Sequence, residues 1–366
     1  PTAANTVEGR FIGRLVPGTN RFNGAFKAGE GVSDTMQSGN AFRVSPRLGF
    51  VYDITGQGST IVRGGAGIFY DRAQGNMVFG NITNAPGMLQ SQLQWGRLQD
   101  LGSGGATSGD PDTVLNMAPI AYDFETPTVY AWNLGVQQKL PKGVMFDIAY
   151  VGSISRHLLR QQQINSVPYG AKFLPENQDP TAAPSSVPGA TALPDDFLRP
   201  YKGYGNIQYV GYDGKGNYNG LQTSLGRRFD NGFMFQASYV WSKTMTDSDT
   251  DFFIGRFTSD EQEIRRADWS YAASDRPHTF VLNLVYQTPK LTDNWGLGLL
   301  ANNWQISGIY RWMSGTPYAI TFSVPDVGAS NLTGSDNNNN ARVVVSCDPG
   351  KGWSGDPYAQ FDTSCF

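Results

Sequence analysis

The amino-acid sequence predicts an all-β fold of antiparallel, membrane-crossing strands, and three observations predict it. Apolar and aromatic residues recur at every second position in eight separate segments, the mark of strands with two unlike faces. Tight turns alternate along the chain with connections of about 30 to 65 residues, against a usual loop length of roughly 4 to 6. Aromatic residues make up 13% of the chain and charged residues only 16%, well under the roughly 25% of soluble domains.

The first pair of strands is Arg47 to Ile54, with Leu48, Phe50, Tyr52 and Ile54 on one face, and Thr60 to Asp71; Thr55-Gly56-Gln57-Gly58-Ser59 joins them. The second is Val129 to Leu140 and Val144 to Ser153, which turn around Pro141-Lys142-Gly143. The third is Tyr218 to Phe229 and Phe233 to Lys243, joined by Asp230-Asn231-Gly232, a residue pattern that favours a tight hairpin. The last is His278 to Thr288 and Trp304 to Phe322, whose connection from Pro289 to Asn303 is long enough for a helical turn.

Every second connection therefore lies on one side. Soluble sandwiches have no reason to sort their loops this way, whereas outer-membrane barrels have short periplasmic turns and long extracellular loops. Strands of about 10 to 13 residues also suit the roughly 9 to 11 tilted residues that cross the hydrocarbon. Phe229, Phe233, Tyr286 and Trp304 flank the short turns, while Tyr130, Trp132, Tyr150, Tyr239, Trp241, Tyr310 and Trp312 lie toward the long loops. Two aromatic girdles are expected, because Tyr and Trp rings favour the headgroup level. The alternate positions carry Asn133, Gln137, Lys139, Asp147, Gln222, Ser224, Gln236, Ser238, Asn283, Gln305 and Ser307, which suits a watery or plugged lumen. The expected organisation is an extracellular loop region over 1–43, barrel strands and loops over 44–322, and a further extracellular loop over 323–366. The expected location is the bacterial outer membrane, with its lipid as a partner.

Other classes fit poorly. A net charge of -3 and the lack of any Lys/Arg run argue against nucleic acid. No stretch approaches the roughly 20 apolar residues of a membrane-spanning helix. His157 and His278 lie far apart without an H-E-x-x-H context, and neither G-x-S-x-G nor a Walker A motif occurs, so neither catalysis nor a cofactor is expected. The glycines of Arg63-Gly64-Gly65-Ala66-Gly67 resemble a dinucleotide loop superficially, but a strand continues through Ile68, Phe69 and Tyr70 where a helix should begin. Asp247, Asp249 and Asp251 could gather oxygen ligands around Ca²⁺, although Phe252 and Thr258 break the EF-hand spacing and a solvated loop explains them as well. Asn337 to Asn340 reads as an exposed loop tip. Tyr201, Tyr204, Tyr209 and Tyr212 mingle with Gly and Asn in a loop composition able to stack on sugars or peptides. Cys347 and Cys365, 18 positions apart, are open to either reading, a local disulfide in an oxidising compartment or two free thiols.

Four stretches in order resemble the Oar-like TonB-dependent receptors: SPRLGFVYD (45–53) with IVRGGAGIFYDR (61–72); TPTVYAWNLGVQQKLPKGVMFDIAYVGSISRHL (126–158); YNGLQTSLGRRFDNGFMFQASYVWSKTMTDSD (218–249); and DRPHTFVLNLVYQTP (275–289) with WQISGIYRWMSGTPY (304–318). The resemblance covers about 45 to 320. It implies an outer-membrane transporter with a carboxypeptidase-regulatory-like module ahead of an N-terminal plug, a barrel of about 22 strands, and energy delivered through TonB. On that reading the chain is an internal piece of the barrel, about eight strands of it. The implied activity is import of a bulky, scarce nutrient such as a siderophore, oligosaccharide or peptide. An adhesion or assembly barrel and a passive porin are the alternatives, which a plug and TonB-contacting segment upstream would separate from import.

Overall fold

The computed structural model describes residues 27–29, 31–35, 37–39, 42–72, 115–201, 204–248, 268–318, 320, 332–336, 341–352, 355–356 and 358–366. Its strands are β1 (Lys27–Ala28), β2 (Gly31–Val32), β3 (Arg47–Asp53), β4 (Thr60–Tyr70), β5 (Leu115–Met117), β6 (Thr128–Lys139), β7 (Val144–Gln163), β8 (Tyr204–Asp230), β9 (Phe233–Thr246), β10 (Ser270–Tyr271), β11 (His278–Gln287) and β12 (Gln305–Met313). The main sheet runs β3-β4-β6-β7-β8-β9-β11-β12, every neighbouring pair antiparallel. β10 adds to β9, and β5 adds in parallel to β8. The eight strands of the sequence pattern thus form one up-and-down meander, and the sheet is open between β3 and β12 among the described residues.

The short turns have the chemistry their sequences promise. Asn231 and Gly232 both take positive φ (49° and 77°), as do Lys142 and Gly143 (60° and 71°). In the β3–β4 turn Gly56 and Gly58 do the same, and the Asp53 carboxylate accepts the N–H of Gly58 at 2.6 Å and of Thr55 at 3.1 Å. The β11–β12 connection carries a helix, Trp295–Ala301.

Register makes the two faces explicit. One rung crosses all eight strands as Tyr52, Val62, Val136, Ile148, Thr223, Tyr239, Phe280 and Trp312, apart from one threonine wholly apolar or aromatic. The adjoining rung on the opposite face reads Asp53, Ile61, Gln137, Asp147, Ser224, Ser238, Val281 and Arg311. A one-residue slip in any strand would exchange these faces, so the ladder is strongly specified.

The long-loop aromatic belt is not level with the rungs, and the offset has a geometric cause. Through the ladder, Trp312 and Tyr310 of β12 align with Val136 and Gln138 of β6, six positions from Tyr130 and Trp132. Strands about 4.8 Å apart and tilted by roughly 40° shift level by about 1.2 residues per strand, hence by roughly six residues over the five steps from β6 to β12. The short turns step in the same direction, from the β3–β4 turn beyond Asp53 to β12, which continues past Arg311 to Gln305. At that tilt the oblique belt and the staggered turns would become two level rims, the arrangement that the expected girdles require.

Three boundaries depart most from the sequence pattern, those at the end of β12, the end of β7 and the start of β8. β12 ends at Met313 and residues 314–318 are not strand, while 319, 321 and 322 of the expected run to Phe322 lie outside the described residues; Ser314 closes the ladder, its N–H donating to the His278 carbonyl and its hydroxyl accepting the His278 N–H. Gly315 and Pro317 follow, and Pro317 has no N–H for a ladder. In the other direction β7 and β8 outrun their expected ends at Ser153 and Tyr218, forming one hairpin that pairs as far as Gln163 and Gln208. At about 3.4 Å per residue, that hairpin is far longer than a membrane crossing requires.

Candidate functional site at the long-loop end

Past Ser155 and Gly216 the β7–β8 hairpin leaves the sheet, and most of the described hydrophobic core sits here. The register shifts between Ser155 and Arg160, where His157 takes a φ of 56°, the signature of a bulge that bends and twists a ladder. A side chain at Gly214 would meet the Leu158 carbonyl at 2.8 Å, which explains glycine where the strands draw close. Residues from the connection between β4 and β6 then cover the exposed edge of β8. β5 pairs with it, Ala121 donates to the Val210 carbonyl at 2.8 Å, and Val210 donates to the Pro119 carbonyl at 2.9 Å.

Three small apolar clusters fill this projection. Ala121, Val210 and Tyr212 pack with Phe124 and Leu159; Tyr204 and Ile207 with Met117 and Ile164; Val167, Ala171 and Leu198 with Leu193. Of the four tyrosines expected in a ligand loop, three are therefore differently placed, while Tyr201 lies outside any strand. Tyr204, Tyr209 and Tyr212 belong to strand β8, and the rings of Tyr204 and Tyr212 are buried as packing groups. Burial pushes the Tyr212 phenol above its ordinary range, although Gln37 donates to its oxygen at 2.5 Å and opposes the shift. Burial, reinforced by the charges of Asp213 and Asp123, does the same to Tyr209. The tyrosines left partly open at this end are Tyr201 and Tyr209 of the four, joined by Tyr122 and Tyr169.

Polar side chains hold the projection together. Arg160 grips Asp213 with two nitrogens at 3.2 and 3.0 Å, and Gln162 adds a third bond at 3.0 Å. The buried Asn165 amide donates to the carbonyls of Tyr201, Tyr204 and Gly205, and its oxygen accepts the Tyr201 N–H. Arg199 donates to the Asn165 carbonyl at 2.6 Å and to Asp336 at 3.1 Å; that carboxylate also accepts the Val167 N–H at 3.1 Å. Ser335 donates to the Val167 carbonyl, and the amides of Gly170 and Lys172 donate to Thr333 and Gly334. The segment 332–336, from beyond β12, is thus docked on the β7–β8 connection. Sequence reasoning missed this network. Its only trace is that Gln161, Gln162 and Gln163 continue past Ser153 with no Gly or Pro before Pro168.

The remaining candidates fall in different places. Asp247 is buried at the end of β9, where it accepts the Lys215 N–H at 2.7 Å; its carboxylate caps a strand, and Asp249 and Asp251 lie outside the described residues, as do Asn337 to Asn340. Among the described residues no three His, Cys, Asp or Glu side chains form a group able to hold a metal. His278 belongs to the belt: its Nδ1 is 2.8 Å from the Tyr239 hydroxyl, and its ring stacks between Tyr239 and Trp312. Tyr130, Tyr150, Trp241, Tyr310 and Trp312 are exposed on the same face, and Trp132 is half-buried over Gly152. Cys347 and Cys365 are bonded to each other, with Cα atoms 5.0 Å apart. On the polar face Arg63 reaches across Gly135 of the intervening β6 to Asp147 at 2.6 Å.

A single antiparallel layer with one apolar, aromatic-rimmed face, one polar face, short turns at one end and a built-up opposite end is the wall of a membrane-spanning β-barrel. The chain belongs to the outer membrane beta barrel domain family, whose model it matches over residues 2–366. That family places it in the bacterial outer membrane.

No curated protein matches the chain. Among solved structures it is similar to the outer membrane transporter YddB from Escherichia coli, at 13% identity and a TM-score of 0.41 over 74% of this chain and 33% of that one. It is also similar to the siderophore receptor PirA from Acinetobacter baumannii (13% identity, TM-score 0.36, 74% of this chain and 33% of that one). A third is the FrpB iron transporter, F3-3 variant, from Neisseria meningitidis (10% identity, TM-score 0.32, 68% and 25%). The chain spans a third or less of the length of these structures.

Proposed function

We propose that this chain is part of the barrel of an Oar-like TonB-dependent receptor, which captures a bulky, scarce nutrient at its long loops and imports it past a plug. The nutrient would be a siderophore, oligosaccharide or peptide. The observation that carries the reading is the construction of the long-loop end. A hairpin with its own apolar clusters, braced by Arg160, Asn165 and Arg199 and tied to residues 332–336, is a rigid, partly aromatic surface of the kind a capture site needs. The polar face, with Asn133, Gln137, Gln222 and the Arg63–Asp147 pair, is the lumen wall against which a plug would rest. No covalent chemistry is involved, and the plug and TonB are the protein partners.

The test is the reading frame upstream of Pro1 in the parent gene, together with retention of the TonB C-terminal domain by the full-length protein. A plug followed by retention of TonB is the expected result. A frame encoding neither plug nor TonB-contacting segment, with no retention, would overturn import and leave an adhesion platform or an open pore.

A further inference from the structure

The connection between β11 and β12 contains a helix without a polar face. Trp295–Ala301 reads Trp-Gly-Leu-Gly-Leu-Leu-Ala, and Asn294 caps it by accepting the N–H groups of Gly296 and Leu297 at 3.0 and 3.2 Å. Its large side chains point outward: Trp295 is 84% exposed, Leu300 75%, Leu299 67% and Leu297 60%. A surface helix in water keeps charges on its outer side, and this one has none.

Its attachment says which surroundings it meets. Thr288 and Trp304 extend the β11–β12 ladder one step past Gln287 and Gln305, and Trp304 stands in the same alternation as Ile306, Tyr310 and Trp312, on the apolar face. The Trp304 indole N–H donates to the Leu300 carbonyl at 2.7 Å, so the end of the helix is fastened to the lipid side of the sheet. Asn302 fixes its direction, accepting the N–H groups of Leu291 and Thr292 and donating to the Thr292 carbonyl. The exposed Lys290–Asp293 ion pair supplies a polar edge beside it.

We infer that this helix lies in the headgroup layer of the leaflet on the short-turn side, its tryptophan and leucines entering the acyl boundary. It holds the β11–β12 end of the barrel at a fixed depth. Lipid is the occupant because Trp304, which holds the end of the helix, stands on the apolar face of β11 and β12 with the exposed Tyr286 as its rim neighbour, the position interfacial anchors occupy. The inference rests on the membrane placement of the sheet and not on import.

The experiment uses the full-length protein in phosphatidylcholine–phosphatidylglycerol vesicles, with the Cys347–Cys365 bond left oxidised. A bimane label is placed at Leu300→Cys or Leu297→Cys, and at Asn231→Cys in the β8–β9 turn as the aqueous reference. The expected result is strong quenching of the helix labels by headgroup spin-labelled lipid, and iodide quenching several-fold weaker than at position 231. Iodide quenching equal to the reference would put the helix in water and overturn the inference. Protection from both quenchers would overturn it equally, since protein, a plug or a second copy, would then cover the patch. Removal of the TonB-contacting segment should leave the result unchanged, which separates its failure from failure of the import reading.

Discussion

Replacing Arg199 with methionine should release the segment 332–336 from the β7–β8 connection while leaving the membrane strands intact. The guanidinium holds the Asn165 carbonyl at 2.6 Å and the Asp336 carboxylate at 3.1 Å, and Asp336 is only 2% exposed. Withdrawing one partner of a buried pair costs about 3 to 5 kcal/mol, because the charge left behind has already been desolvated. One feature favours the lower end: the Val167 N–H still donates to the Asp336 carboxylate. About 3 kcal/mol corresponds to roughly a hundredfold rise in local opening. The readout is hydrogen exchange of the Gly170 and Lys172 amides, whose acceptors are Thr333 and Gly334. They should exchange about a hundredfold faster in full-length Arg199→Met, whereas the β6–β7 ladder amides should not change. Arg199→Lys should recover part of the protection, since the charge returns without the planar fork. Unchanged exchange at positions 170 and 172 would refute the assignment of Arg199 as the brace.

Three further outcomes are expected. Thiol labelling of unreduced full-length protein should leave Cys347 and Cys365 unmodified, and reduction should destabilise their loop by about 3 kcal/mol, the closure entropy of an 18-residue separation; full labelling of both without reductant would reject the bridge. In intact cells a membrane-impermeant maleimide should reach Ser185→Cys in the β7–β8 connection and spare Asn231→Cys, and the reverse pattern would invert the topology. In a spectrophotometric titration, Tyr209→Phe and Tyr212→Phe should remove absorbance change only from the part of the curve above the ordinary tyrosine value of about 10, because both phenols are held protonated by burial. Their folded pKa values are raised, so their contribution to stability is complete below the unfolded value and is lost as pH climbs through the folded one. Loss of amplitude near pH 10 itself would show these rings to be solvated.

The membrane part of the fold was legible because its constraints are local. Asn231-Gly232 and Lys142-Gly143 set hairpins through residues that accept positive φ, and a period of two then fixes each face. The projection was not legible, for the opposite reason. Tyr204 to Asn217 is rich in Gly and Tyr and lacks the alternation of a strand with one lipid face, because both of its sides meet protein. Its pairing with β7 passes through the bulge at His157, which breaks the pattern where continuation would have to be read. The braces depend on contacts such as Arg199 to Asp336 and Ser335 to Val167, over more than a hundred positions, which no local pattern encodes. The expected run of β12 to Phe322 outlasts the partner strand, since β11 begins at His278, which pairs with Ser314.

The central claim is that one face of the ladder meets lipid and the other a lumen, and two adjacent residues test it. Leu225 shares its rung with Phe146, Ala237, Leu282 and Tyr310; Ser224 shares the opposite one with Asp147, Ser238, Val281 and Arg311. An arginine facing lipid near the midplane costs roughly 2 to 4 kcal/mol, and one facing a wet lumen far less. The measurement is folding of full-length Leu225→Arg and Ser224→Arg, read by the heat-modifiable gel shift and by yield in the outer membrane. Loss of the folded band in Leu225→Arg with near-normal folding of Ser224→Arg is the predicted result, and equal behaviour of the two variants would contradict the account.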